Sequence, residues 1–272
     1  MKIGIVAGAA VGVALALLLV VFFAQRRFIY PAPRTVGAIS APGFDRVILH
    51  TADGVDLAAL YRPANGRRTI VFFHGNGDSL RGSLIATRAI AAAGFGVLLP
   101  EYRGYGGNPG SPSESGLYAD ARAAIAFLRR QGLGPGDIVA IGNSLGSGPA
   151  MEVATGEQLG GLIIVSGFTS LPSVAADATG LPIAALVRDK FDNATKLARS
   201  TTPTLILHAD DDRVVPLAHG QRLALARKTF LMVFAGGGHG LAYAPAAGTA
   251  EVRWLEALGR NVKNELQTPS QR

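Results

Sequence analysis

Short apolar runs alternate with longer, periodically apolar segments along this chain. Val47–Thr51 and Val55–Tyr61 flank Asp53-Gly54, a pair that predicts a hairpin turn. Further strands are predicted at Ile70–Phe73, Val97–Pro100, Ile138–Ile141, Leu162–Val165, Leu205–Leu207 and Phe230–Phe234. Helical patterns fall between them, at Ser79–Ala93, Glu114–Arg130, Gly146–Thr155, Pro216–Ala226 and Thr249–Leu266. Near-continuous apolar strands separated by helices imply an α/β fold, with a mostly parallel central sheet covered by helices on both faces. Thr169 to Ser200 breaks the rhythm, with Pro172, Pro182 and only weak helical patterning. A long insert between two strands reads as a small cap or lid. Within it, Arg188-Asp189-Lys190 reads as a solvated face. There are no internal repeats.

The N-terminus follows a different pattern. Ile3 to Ala24 carries no charge, and Gln25-Arg26-Arg27 ends the run. At ~1.5 Å per residue a helix of that length spans a hydrocarbon core of roughly 30 Å. The expectation is a single-pass anchor. A cleaved signal peptide is the rival, but Phe22-Phe23-Ala24 is a poor cleavage site. Orientation is divided: Arg26 and Arg27 pull one flank towards the cytoplasm, and Lys2 with the amino terminus pulls the other. The expected division is an anchor with its basic flank over 1–27, a catalytic domain over 28–266 and a polar tail over 267–272.

One turn carries the chemistry. Asp137 to Ala150 reads strand, tight turn, helix, and the turn spells Gly142-Asn143-Ser144-Leu145-Gly146. A serine on such a turn is lifted clear of the sheet with a helix N-terminus beneath it, the arrangement called a nucleophile elbow. Side chains at the flanking positions would strike neighbouring backbone, which accounts for the two glycines. A serine hydroxyl is a poor nucleophile at neutral pH, so it needs an imidazole to take its proton and a carboxylate to orient the imidazole. Both follow in the chain. Thr204–Pro216 runs from a strand into Asp210, Asp211 and Asp212, and Phe230–Gly240 runs from a strand into a glycine-rich loop bearing His239. Spacing alone leaves the choice among the three aspartates open.

His74-Gly75-Asn76-Gly77, Tyr102 to Gly106, Gly142 to Gly146, His208 to Pro216 and Gly238-His239 together resemble the alpha/beta hydrolases. The likeness is to the branch with an N-terminal membrane segment that includes the Bem-type proteins, and it covers Phe28 to Leu258. It implies the alpha/beta-hydrolase fold and an acid four residues after the histidine of the acid stretch, here Asp212. It also implies an oxyanion hole made by the backbone amides of Asn76 and Leu145, a structural role for His74, and a domain exported from the cytoplasm. The chain departs from the pattern at Ala209 and Glu101, where the family favours Gly and Asp.

Composition narrows the chemistry further. The 272 residues suit one compact domain plus an appendage, and hydrophobic residues make up 49%, enough for a large core. There is no cysteine, which excludes disulfides, thiolate catalysis and cysteine-held metal. No histidine pair has metal-ligand spacing, and no cofactor motif is present; Gly75-Asn76-Gly77 lacks the Lys-Ser/Thr of a phosphate loop. The net charge of +7 comes without basic-aromatic interleaving, so nucleic acid is not an expected partner. Arg103 is expected to pair with a carboxylate and pin the Glu101–Pro112 loop. The expected activity is hydrolysis of carboxylic esters or thioesters of a small-molecule or lipid acyl substrate. An amidase or peptidase with the same triad is the alternative, and a non-catalytic membrane-tethered scaffold is a further one. An epoxide hydrolase or dehalogenase would need Asp where Ser144 stands.

Overall fold

The computed structural model describes residues 19–20, 22–33, 39–66, 68–180 and 184–267. Most of the anchor expected over Ile3–Ala24 lies outside these residues, as does most of the expected tail. Among the described residues no helix is long and apolar enough to cross a membrane.

Eight strands form one sheet: β1 (Asp45–His50), β2 (Asp56–Arg62), β3 (Thr69–Phe73), β4 (Gly96–Pro100), β5 (Ile138–Asn143), β6 (Gly161–Val165), β7 (Thr204–Ala209) and β8 (Phe230–Phe234). Their order across the sheet is β1-β2-β4-β3-β5-β6-β7-β8. The β1–β2 hairpin pairs antiparallel with β4, and every other pairing is parallel. β3 through β7 each lie between two other strands and are buried along their whole length, which explains their unbroken apolar composition.

The helices are α1 (22–29), α2 (Leu80–Ala86), α3 (Arg88–Ala92), α4 (Glu114–Arg130), α5 (Ser147–Gly156), α6 (Leu171–Thr179), α7 (Asn193–Arg199), α8 (Leu217–Arg227) and α9 (Pro245–Gln267). Alternate strand positions feed two cores. Val71, Phe73, Ala140 and Ile164 face a core shared with Leu117 and Leu128 of α4 and Met151 of α5. Ile70, Phe72, Ile141 and Ile163 face the other, with Ile90 of α3 and Leu255 of α9.

Three boundaries differ from expectation for local reasons. The helix predicted over Ser79–Ala93 is broken at Thr87, whose backbone (φ −93°, ψ 5°) leaves the helical region. Its hydroxyl instead donates to the Ser83 carbonyl at 2.8 Å, the competition with the backbone that Thr offers. The last helix starts a turn early because Pro245 opens it, where the missing N–H costs nothing. The insert contains two short helices, α6 and α7, that hydrophobic periodicity underplays. α6 is fixed by its ends instead: Ser170 caps it by accepting from the Ser173 N–H, and Gly180 ends it in the left-handed region (φ 68°).

Candidate active site

The turn after β5 has the strained geometry its sequence requires. Ser144 has φ 50°, a conformation uncommon outside glycine. A Cβ on Gly142 would lie 2.5 Å from the Gly146 carbonyl oxygen, and one on Gly146 would lie 2.0 Å from the Phe73 carbonyl oxygen. Both obstacles are backbone, so neither can yield. The elbow is braced from below. Ser147 Oγ donates to the Ser144 carbonyl at 2.6 Å, and Asn193 Nδ2, from the insert, donates to Ser147 Oγ at 3.1 Å.

β7 and β8 end beside this turn and deliver the two partners. His239 Nε2 lies 2.8 Å from Ser144 Oγ, and His239 Nδ1 lies 2.9 Å from Asp212 Oδ2. The other Asp212 oxygen, Oδ1, accepts the backbone N–H groups of Val214 and Val215, both at 2.9 Å. Burial works against the Asp212 carboxylate. The His239 bond and the two amides outweigh it and hold its pKa below the usual carboxylate value. An ionised carboxylate only accepts, so Nδ1 carries the imidazole proton and Nε2 is free to accept from Ser144.

The neighbouring aspartates have a different task. Asp210 Oδ1 accepts the Gly236 N–H at 2.9 Å, and Asp211 Oδ1 accepts the Gly238 N–H at 2.7 Å. They tether the glycine-rich loop that carries His239. Behind the acid, buried His208 donates Nε2–H to the Val215 carbonyl at 2.8 Å. Burial pushes its pKa down, so it stays neutral and does not compete for the Asp212 charge.

A cleft of about 500 Å³ opens above Ser144. Asn76 and Leu145, the residues expected to supply the oxyanion amides, both line it. Its apolar walls are Ile29, Phe168, Leu171, Val174, Val214 and Val215. No Asp, Glu, Lys or Arg lines it among the described residues. Tyr243 also lines it and donates its hydroxyl to Asp78 Oδ2 at 2.5 Å. Among the described residues no group of three His, Asp or Glu side chains could hold a metal ion.

Two further sequence expectations concern the shell around the cleft. His74 is fully buried, with Nε2 2.9 Å from Glu101 Oε1 and Nδ1 2.9 Å from the Gly75 carbonyl. Burial opposes a charge on the ring, but the hydrogen bond to Glu101 and its charge outweigh burial and raise the His74 pKa. Glu101 Oε2 also accepts the Leu80 N–H at 3.2 Å, and so ties the loop after β3 to α2. The longer acid fits because Gly106 leaves room: a Cβ there would lie 2.8 Å from Glu101 Cγ. Arg103 pins the loop as its sequence suggests, donating to Asp120 at 2.7 Å and to Asp53 at 2.6 and 3.0 Å.

Sequence and fold comparisons agree with this architecture. A model of the alpha/beta hydrolase fold matches residues 68–186. The uncharacterized protein Rv2307c of Mycobacterium tuberculosis is 36% identical over 237 residues, covering 84% of each chain. The chain belongs to the alpha/beta hydrolase family. Among solved structures, an alpha-beta hydrolase from Vibrio vulnificus matches with TM-score 0.69 at 23% identity, covering 87% of this chain and 91% of that one. An esterase from Pyrococcus furiosus matches with TM-score 0.66 at 17% identity, covering 86% and 96%. These two likenesses are of fold.

One expectation about an individual side chain fails in this alpha/beta hydrolase. Asp189 is not on a solvated face. Its side chain is 4% exposed and pairs with Arg26 of α1 at 2.8 Å. Ile29 on the cleft wall was equally invisible, since nothing in a 22–29 pattern says that this helix folds back onto the insert. Val214 and Val215 had a readable signal, being an apolar pair directly after the proposed acid.

Proposed function

We propose that the chain is a membrane-anchored serine hydrolase that cleaves carboxylic esters or thioesters through an acyl-enzyme. The observation that carries this reading is His239, bridging Ser144 at 2.8 Å and Asp212 at 2.9 Å on the floor of an apolar cleft. Ser144 is the nucleophile, His239 the general base, and Asp212 the orienting acid. His239 Nε2 takes the hydroxyl proton as Ser144 Oγ bonds to the substrate carbonyl carbon. The carbonyl oxygen takes the negative charge, and the amides of Asn76 and Leu145 stabilise it. Each such donor is worth about 3 kcal/mol of barrier. The tetrahedral intermediate collapses, and the imidazolium gives its proton to the departing alkoxide or thiolate. Water then repeats the cycle on the acyl-enzyme and frees the acid.

The lining favours an ester or thioester over a peptide. A peptidase that reads a chain terminus needs a charge opposite that terminus, and the cleft offers apolar side chains instead. The uncharged run Ile3–Ala24 supports membrane attachment, and the resemblance to the Bem-type branch supports a domain outside the cytoplasm.

A fluorophosphonate probe tests the nucleophile, and an ester, thioester and aminoacyl-amide panel tests the bond. Stoichiometric labelling at Ser144 with ester or thioester turnover is expected. Absence of labelling in folded protein overturns the reading, and faster amide cleavage moves it to the amidases. Resistance of the full chain to carbonate extraction is expected, and an N-terminus starting near Gln25 would show instead a cleaved signal.

A further inference from the structure

α1 packs on the insert by a set of specific contacts. Gln25 clasps the insert's backbone: its Nε2 donates to the Leu186 carbonyl at 3.0 Å, and its Oε1 accepts the Arg188 N–H at 2.8 Å. Arg26 grips Asp189 with two bonds, at 2.9 and 2.8 Å. Tyr30 adds a third donor to the same carboxylate at 3.0 Å. The Arg188 guanidinium lies over the Phe22 ring, 5.6 Å from its centre. A buried carboxylate needs a cation, and here the cation comes from the N-terminal segment.

This latch reaches the site. The Lys190 carbonyl, next to Asp189, accepts the Leu171 N–H at 2.8 Å, which ties the latched strap to the first turn of α6. Leu171 and Val174 of α6 line the cleft, and so does Ile29 of α1. α1 is also continuous in sequence with the uncharged run that ends at Ala24. Ile29 lies five residues beyond Ala24, about 7.5 Å along a helix axis. The apolar wall of the cleft therefore stands within two helical turns of the segment proposed to enter the bilayer.

We propose that α1 is the membrane-side wall of the acyl site, and that the substrate's acyl chain enters this cleft from a lipid bilayer. The proposal rests on the reading of Ser144 as the nucleophile of a membrane-anchored hydrolase. It names the substrate class as an ester or thioester of a long, membrane-partitioned acyl chain, in place of a short water-soluble one. Ile29 sets acyl preference by contact. Arg26 acts through the latch, as a positioning residue.

The test uses the full chain reconstituted in phosphatidylcholine vesicles. p-Nitrophenyl palmitate is supplied within the bilayer and p-nitrophenyl acetate in the buffer. The kcat/KM ratio of palmitate to acetate is expected to be at least tenfold. Ile29→Trp, which fills the wall, should lower that ratio at least tenfold, mainly through KM for palmitate. Arg26→Gln, which frees the helix, should lower it at least threefold, while a soluble fluorophosphonate still labels Ser144. A wild-type ratio below one overturns the proposal, as does a ratio unchanged in both variants with labelling intact. Should Ile29→Trp fail to label, the wild-type ratio and Arg26→Gln still decide. No labelling and no ester turnover in the wild-type chain would overturn the hydrolase reading itself, and this proposal with it.

Discussion

The backbone of Gly146 passes so close to Phe73 that a Cβ on Gly146 would lie 2.0 Å from the Phe73 carbonyl oxygen. Two backbones of a parallel sheet and its crossover meet there, and neither can shift alone. Gly146→Ala should therefore destabilise the chain by about 3 kcal/mol, the upper end of what overpacking typically costs. Any folded fraction should label slowly with fluorophosphonate, because relief of the clash moves Ser144 off its hydrogen bond. Chemical denaturation with parallel labelling measures both. An unperturbed midpoint would mean that the elbow is looser than its geometry indicates.

The three aspartates after β7 separate by task. Asp212→Asn should lower kcat on the order of 10⁴-fold, since the amide favours the wrong imidazole tautomer. Asp210→Asn and Asp211→Asn retain an acceptor oxygen for Gly236 and Gly238, and should cost less than about tenfold. Ser144→Ala should abolish turnover with little change in Tm, because its hydroxyl contributes to chemistry rather than to packing. Steady-state kinetics on p-nitrophenyl acetate ranks the four variants. Greater sensitivity at Asp210 or Asp211 than at Asp212 would reassign the acid.

Much of this was legible along the chain. The β5 turn announces itself because its strain demands two glycines, and Asp and His follow at the ends of later apolar strands. The alternation of buried strands and helices yields the fold for the same reason: burial on both faces leaves a continuous apolar record. What escaped depends on contacts distant in sequence. Arg26 and Asp189 each look like solvated surface charges, and only their meeting across 163 positions buries one of them. α6 was faint because it covers a cleft instead of a core, so its apolar stripe is short, and α7 because it is only 7 residues long. Glu101, a departure from the family pattern, became intelligible only with Gly106 beside it.

Arg103 is the next test of a long-range contact. It neutralises Asp120, whose side chain is 1% exposed, and reaches Asp53 as well. Arg103→Ala should cost about 3–5 kcal/mol, because it leaves a buried carboxylate without its cation. Arg103→Lys should recover only part of that, since one ammonium cannot span both carboxylates. Arg103→Ala combined with Asp120→Asn should be more stable than Arg103→Ala alone. Urea denaturation of the three variants measures the differences, and a double variant weaker than the single one would show that packing, not charge, dominates there.

Glu251 gives the pH prediction. It lies in α9 at 2% exposure, and burial pushes its carboxyl up to about 8. A carboxyl in an unfolded chain titrates near ~4.3. The folded state thus holds a proton that the unfolded state releases between those two values. Stability from this group is full below the unfolded value and is lost as pH rises towards the folded one. Glu251→Gln keeps the neutral shape and has no proton to lose. It should raise Tm at pH 7 to 8, with a gain on the order of a few kcal/mol. Below about pH 4 the gain should vanish, because wild-type Glu251 is then neutral in both states. Thermal melts of the two proteins from pH 4 to pH 9 give the comparison. A gain that is constant across that range would assign the effect to packing, and a variant less stable at pH 8 would show that the ionised carboxylate has a partner that stabilises it.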